Sequence, residues 1–290
     1  MRIDLMAGAS PSAAAYRAAR EPTILVFDSG LGGLTVLDAV RRARPDARYV
    51  YAGDDAAFPY GRLSEAALVA RVLDVMDQLV ATHRPDLAVI ACNTASTLVL
   101  PALRQRFTTP FVGVVPPIKP AAGATRSGLL TLLATPGTVA RSYTRDLIAT
   151  YAGSCAVTRV GSALLAGFAE AELAGAPVDD ATLAAEIAPC FVTAPDGRRT
   201  DVVCLACTHY PLLRERFERL APWPVTWIDP APAIARRVVQ LIGAAPRGAA
   251  DGSVLAAFTG GTCLTAPLRE RLAERGLPEV VVEPMPLRVQ

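Results

Sequence analysis

Two cysteines end two similar apolar runs. Leu87 to Cys92 reads LAVIAC and continues as Asn93, Thr94, Ala95, Ser96 and Thr97; Asp201 to Cys207 reads DVVCLAC and continues as Thr208, His209 and Tyr210. Each run fits a buried parallel strand. The small hydrogen-bonding residues after each thiol fit the cap and first turn of a helix. A cysteine there points into the crevice where open α/β sheets bind ligands. It also meets the positive end of a helix dipole, which favours a thiolate. Taken singly, each could be a buried core thiol; the repeated context favours chemistry.

Two thiols on opposite sides of a small molecule suit proton removal from one face of a stereocentre and proton return to the other. Cysteine, with an ordinary pKa of ~8.5, can serve as acid and base near neutral pH once shifted slightly. The carbanion left after loss of an α-proton needs donors aimed at the α-carboxylate. Ser29, Asn93, Thr94, Thr138 and Thr208 offer hydroxyls, an amide and helix-start N–H groups. Asp28 could pair with a substrate ammonium or orient a thiol. His209, beside Cys207, could assist its proton transfer. Singly, Ser29, Thr94 and Thr208 read equally well as helix caps, and Asp28 and His209 as structural residues.

The elements that must hold these groups alternate. Strands are expected at 23–28, 48–53, 87–91 and 111–115, then at 128–135, 155–162, 201–207, 225–229, 254–259 and 280–283. Helical patterns fall between them: to about Ala43, over 65–82, to about Phe107, from Pro136, over 164–173 and 180–188, from Tyr210 to about Leu220, and over 234–242. The alternation predicts parallel sheets with helices on both faces. Cys92 and Cys207 lie 115 residues apart, about one domain length. The fold class expected is α/β, with two pseudosymmetric domains, each a mainly parallel sheet flanked by helices. The active site then lies in the interdomain cleft. Pro116-Pro117 marks the crossover, giving a first domain of 22–117 plus 235–290 and a second of 118–234. Residues 1–21 read as an N-terminal extension.

Ser29-Gly30-Leu31-Gly32-Gly33 is a glycine-rich turn into a helix. It fails the dinucleotide fingerprint, because Thr35 stands where the third glycine belongs. A loop binding a carboxylate or phosphate through backbone N–H groups remains. Cys204 and Cys207 form a CxxC, but three positions apart on a strand they face opposite sides, and no second ligand pair has finger-like spacing. No metal is therefore expected. Lys119 is the chain's one lysine and sits beside a proline, a poor Schiff-base site, so no pyridoxal cofactor is expected.

Charged residues make up only 19% of the chain and the net charge is +2, which excludes a strong polyelectrolyte partner such as nucleic acid. Arg41-Arg42, Arg198-Arg199 and Arg236-Arg237 read as solvated faces. No apolar run approaches the ~20 residues needed to span a membrane, and no signal-peptide h-region is present. Six cysteines are too sparse for a disulfide scaffold. A cytoplasmic protein is the expectation.

VFDSGLGGLTV (26–36), FPYG (58–61), ACNTAST (91–97), GVVPPIKPA (113–121), LATPGTVARSYT (133–144) and ACTHYPLL (206–213) together resemble the glutamate racemases of the aspartate/glutamate racemase family. The resemblance runs from about residue 23 to residue 242. It implies a cofactor-independent racemase that interconverts L- and D-glutamate between two α/β domains and supplies D-glutamate for peptidoglycan. Cys92 would act on the D-glutamate face and Cys207 on the L-glutamate face. Asp28, Ser29, Tyr60, Gly61, Asn93, Thr94, Thr138, Thr208 and His209 would line the substrate, while Glu170 and Asp54 match acidic positions that support the thiols. Some members carry an N-terminal extension and respond to a peptidoglycan-precursor activator; residues 1–21 permit that, and a homodimer is also admitted. Pro136 departs from the arginine of many relatives, so the loop holding Thr138 is expected to be stiffer. The rival readings are an aspartate or related two-cysteine racemase, a non-catalytic amino-acid-binding module, and a pyridoxal enzyme.

Overall fold

The computed structural model describes residues 21–285. The expected extension over 1–21 lies outside the described residues except for Glu21.

The chain opens with β1 (Thr23–Asp28), α1 (Leu34–Ala43), β2 (Arg48–Gly53), α2 (Glu65–His83), β3 (Leu87–Ile90), α3 (Asn93–Arg106) and β4 (Phe111–Gly113). It continues with α4 (Ile118–Ala124), β5 (Leu129–Ala134), α5 (Pro136–Ala140), α6 (Ser142–Tyr151), β6 (Ala156–Gly161), α7 (Leu165–Leu173), α8 (Asp180–Ile187) and β7 (Val202–Ala206). The last elements are α9 (Arg214–Leu220), β8 (Thr226–Ile228), α10 (Ala231–Ile242), β9 (Val254–Phe258), α11 (Ala266–Glu274) and β10 (Glu279–Val282).

Two parallel sheets result, ordered β10-β9-β2-β1-β3-β4 and β6-β5-β7-β8. The four strands β2-β1-β3-β4 repeat the order of β6-β5-β7-β8, so β1 corresponds to β5 and β3 to β7. In each sheet the order reverses beside the first strand, and the crevice beyond the carboxyl ends there is where such sheets take ligands. Cys92 follows β3 and Cys207 follows β7. The two thiols therefore hold equivalent places in the two units.

Successive side chains along the central strands are buried on opposite faces of their sheet. Ile24, Val26, Tyr49, Tyr51 and Val89 pack on one face of the first sheet against Leu34 and Leu37 of α1 and Val238 of α10. Leu25, Phe27, Val50 and Ile90 pack on the other against Val72, Val75 and Leu79 of α2 and Val99 of α3. The second sheet repeats the arrangement: Leu133, Val203 and Leu205 face Leu165, Leu183 and Phe217, and Leu130, Leu132 and Cys204 face Ile118 and Ala121. Ile228 still packs with the second sheet, but Ala231 and Ile234 already pack with the first. The chain thus returns through Asp229-Pro230, ahead of position 235.

One helix lies where none is expected, and two expected helices change. Ile118–Ala124 is helical, directly after Pro116-Pro117. The helix expected from Pro136 breaks at Arg141, whose extended backbone (φ −70°, ψ 145°) separates α5 from α6. The helix expected from Tyr210 begins as a 3-10 turn, Tyr210–Leu213, before α9.

Candidate active site

Both thiols are nearly buried, Cys92 at 5% exposure and Cys207 at 6%. Cys92 donates to Ser29 Oγ at 3.7 Å. Burial foremost, and then the nearby Asp28 carboxylate, push its thiol up to about 12, against the opposing Ala95 N–H and Ser29 hydroxyl. This corrects the expectation of a thiolate favoured by the helix start: desolvation outweighs the dipole, and Cys92 rests protonated at neutral pH. The Cys207 sulfur also acts on Cys92 electrostatically, so the two thiols share one field.

Cys207 Sγ lies 3.8 Å from His209 Nδ1. On its other side, His209 Nε2 lies 3.0 Å from Glu170 Oε1 and accepts from the Gly32 N–H at 3.2 Å when neutral. The ring is served in either protonation state: as imidazolium it donates to Glu170, and as neutral imidazole with its proton on Nδ1 it accepts from Gly32. Burial disfavours its charge, but hydrogen bonds with Cys207 and Glu170, and the charges of Cys207 and Asp28, carry its pKa well above the usual histidine value. Asp28 is fully buried at the end of β1. It accepts from the Gly30 N–H at 3.1 Å and from the Thr208 hydroxyl at 2.9 Å. Burial raises its carboxyl, with His209, Thr208 and Gly30 pulling the other way.

The glycine loop does something other than bind an external anion. The Gly30, Leu31 and Gly32 N–H groups are taken by Asp28, Glu170 and His209. Its glycines let the two units meet: a Cβ on Gly32 would stand 2.4 Å from His209 Nδ1, and one on Gly30 would stand 2.1 Å from Glu170 Oε1.

Asn93 is the exception to this satisfaction. It is 2% exposed, and neither its Nδ2 nor its Oδ1 has a partner among the described residues. A buried unsatisfied polar atom costs about 1–3 kcal/mol, so two on one amide mark a place for a ligand. Beside it, Thr94 Oγ1 meets Thr135 Oγ1 at 3.1 Å, and Thr135 Oγ1 meets Thr138 Oγ1 at 3.0 Å. Thr135 also caps α5, with Pro136 in the first turn where its missing N–H does no harm.

Asp54 stands one hydrogen bond behind Tyr60, which packs in the same cluster as Cys92. Its carboxylate accepts from Arg71 at 2.5 and 2.8 Å, from Tyr60 at 2.6 Å and from Thr259 at 2.6 Å. Those bonds anchor the Tyr60 loop and reach neither thiol. Glu170 acts on Cys207 through His209. Tyr60, Gly61 and Thr94 line a cavity of about 300 Å³ together with Gly137 and Arg141. Cys204 faces the α4 side of its sheet while Cys207 packs on the α7 side, as their spacing predicts. Lys119 lies over the Tyr151 ring, 5.5 Å from its centroid.

Sequence reading missed Thr135, Arg141 and Arg71. For Thr135 a signal existed, since threonine before Pro-Gly is a cap followed by a first-turn proline. No local signal marks the other two.

Two doubly wound units with matched thiols, an imidazole–carboxylate pair behind one of them and an unfilled amide beside the other define an α/β enzyme of the two-thiol acid/base class. The model of the family Asp/Glu/Hydantoin racemase matches residues 34–238. The chain is 57% identical to the glutamate racemase of Brucella anthropi over 81% of its length and 82% of that relative. It is 56% identical to the glutamate racemase of Mesorhizobium japonicum over 82% of its length and 91% of that relative. The crystal structure of Escherichia coli glutamate racemase in complex with L-glutamate and the activator UDP-MurNAc-Ala superposes with a TM-score of 0.83 at 42% identity, covering 91% of this chain and 99% of that one. The chain belongs to the Asp/Glu/Hydantoin racemase family and stands among its glutamate racemases.

Proposed function

We propose that this chain interconverts L- and D-glutamate through Cys207 and Cys92, without a cofactor. Cys207, facing His209, removes the α-proton of L-glutamate; Cys92, resting protonated, delivers a proton to the opposite face. The reverse direction exchanges the roles. Asn93, with Thr94, Thr138, Ser29 and Thr208, receives the carboxylates, and electrostatic stabilisation of the developing carbanion follows from donors already in place. Asp28 takes the substrate ammonium. The observation that carries this reading is the equivalence of the two thiols across one cleft, with an orphaned amide beside Cys92.

The D-glutamate formed serves peptidoglycan synthesis, as the family implies. The Escherichia coli relative holds the activator UDP-MurNAc-Ala; response to a peptidoglycan-precursor activator, a homodimeric assembly and a cytoplasmic location belong to the same reading. No helix among the described residues is long and apolar enough to cross a membrane.

The test is turnover of purified protein with L-glutamate and with L-aspartate, followed by optical rotation. Conversion of glutamate well above aspartate supports the reading. Faster conversion of aspartate favours the related racemase, and binding without conversion favours a non-catalytic module.

A further inference from the structure

Arg141 has no counterpart among the residues assigned above. It stands at the break between α5 and α6, and its side chain crosses from the second unit to the first. Nη1 donates to the Thr94 carbonyl at 2.6 Å and, closely, to the Thr97 hydroxyl. Nε lies 3.8 Å from Glu65 Oε1. The Arg141 side chain is only 10% exposed, whereas that of Glu65 is 70% exposed, so this ion pair is weak. The firm contacts are Thr94 and Thr97.

Both acceptors lie in the first turns of α3, the helix that begins just after Cys92 and carries Asn93. A cation at that end of a helix runs against the macrodipole, so helix electrostatics do not account for it. Burial lowers the Arg141 pKa, opposed by Glu65 and by Cys92, which puts the guanidinium within the field of the thiol. Thr94 is held twice by the second unit, through its carbonyl by Arg141 and through its hydroxyl by Thr135.

We propose that Arg141 is a positioning residue that latches the second unit onto the turn bearing Cys92 and Asn93, closing the cleft over the substrate while its guanidinium grips Thr94 and Thr97. The cavity lined by Arg141, Thr94, Tyr60, Gly61 and Gly137 is then the mouth that the latch closes. The substrate part rests on the reading of function above; the latch itself does not. One nitrogen, Nη1, makes both bonds, so a lysine ammonium, with three donors on one atom, can take over part of the grip.

The experiment measures alkylation of Cys92 by iodoacetamide in substrate-free protein, located by peptide mass, beside KM and kcat for L-glutamate. Arg141→Ala is expected to label Cys92 about tenfold faster than wild type and to raise KM about tenfold with kcat within about threefold, as for loss of a closed population. Removing a cation disfavours the thiolate and would slow labelling, so acceleration reports access. Arg141→Lys should recover part of both effects. Thr97→Val, on the opposite wall, should shift both in the same direction, and adding it to Arg141→Ala should change little further. A folded Arg141→Ala protein that labels Cys92 at the wild-type rate overturns the latch. Should that variant fail to fold, wild-type labelling and KM in Thr97→Val overturn it instead. If the wild type does not turn over glutamate, the functional reading fails while labelling still decides the latch.

Discussion

Asn93 brings both hydrogen-bonding atoms of its amide into a buried site and leaves them unpaired among the described residues. That arrangement trades stability of the empty protein for binding. Asn93→Leu should raise the melting temperature of the ligand-free protein, because about 1–3 kcal/mol of unmet desolvation disappears. The same variant should raise KM for glutamate at least tenfold, by loss of a carboxylate partner worth about 1.4 kcal/mol or more. Thermal melts and steady-state kinetics on one preparation check both halves. His209 gives a pH signature. Its pKa is raised in the folded state, so its contribution to stability is fully present below the unfolded value of ~6.5 and is lost as pH rises through the folded one. The stability gap between wild type and His209→Asn should therefore be wider at about pH 6 than at about pH 9, read by urea unfolding at each pH. The reverse order would mean that the imidazole is held neutral.

At the scale of elements, the glycine loop and the Thr135 cap join the two units. Gly32→Ala places a methyl against the His209 ring and backbone. Overpacking of that kind costs about 1–3 kcal/mol and should displace His209 from Cys207, lowering kcat at least tenfold while circular dichroism keeps its α/β signature. Legibility divides along the same line. β3 and β7 were plain in the sequence because strands buried on both faces read as unbroken apolar runs, and the residues after them read as helix starts. The fate of the glycine loop is not legible locally, because two of its N–H groups go to Glu170 and His209, which arrive from the other unit. α4 escaped notice because Pro120 and Gly123 give it poor helix propensity and tertiary packing of Ile118 and Ala121 decides the matter. Arg141 and Arg71 were invisible for the same reason as the loop's partners: their targets are far away in sequence. At Cys92 the helix start is a local cue and burial a global one, and burial prevails.

The whole molecule is two copies of one strand order turned toward each other, with β9 and β10 added to the edge of the first. The repetition explains why a single thiol has no complete task. Cys92→Ser and Cys207→Ser should each slow racemisation by about 10²–10⁴-fold, the usual weight of an acid or base, with little change in melting temperature. Near-wild-type rates in both variants would remove the two-thiol mechanism. The most direct measurement is turnover of L-glutamate, and separately of D-glutamate, in D₂O without added cofactor, followed by the α-proton resonance and by the isotope content of each enantiomer. Two opposed thiols require the enantiomer formed to carry solvent deuterium while the remaining substrate keeps its protium early in the reaction, from both directions. A product that retains the substrate's own proton, or no exchange at all in folded protein, would contradict the account.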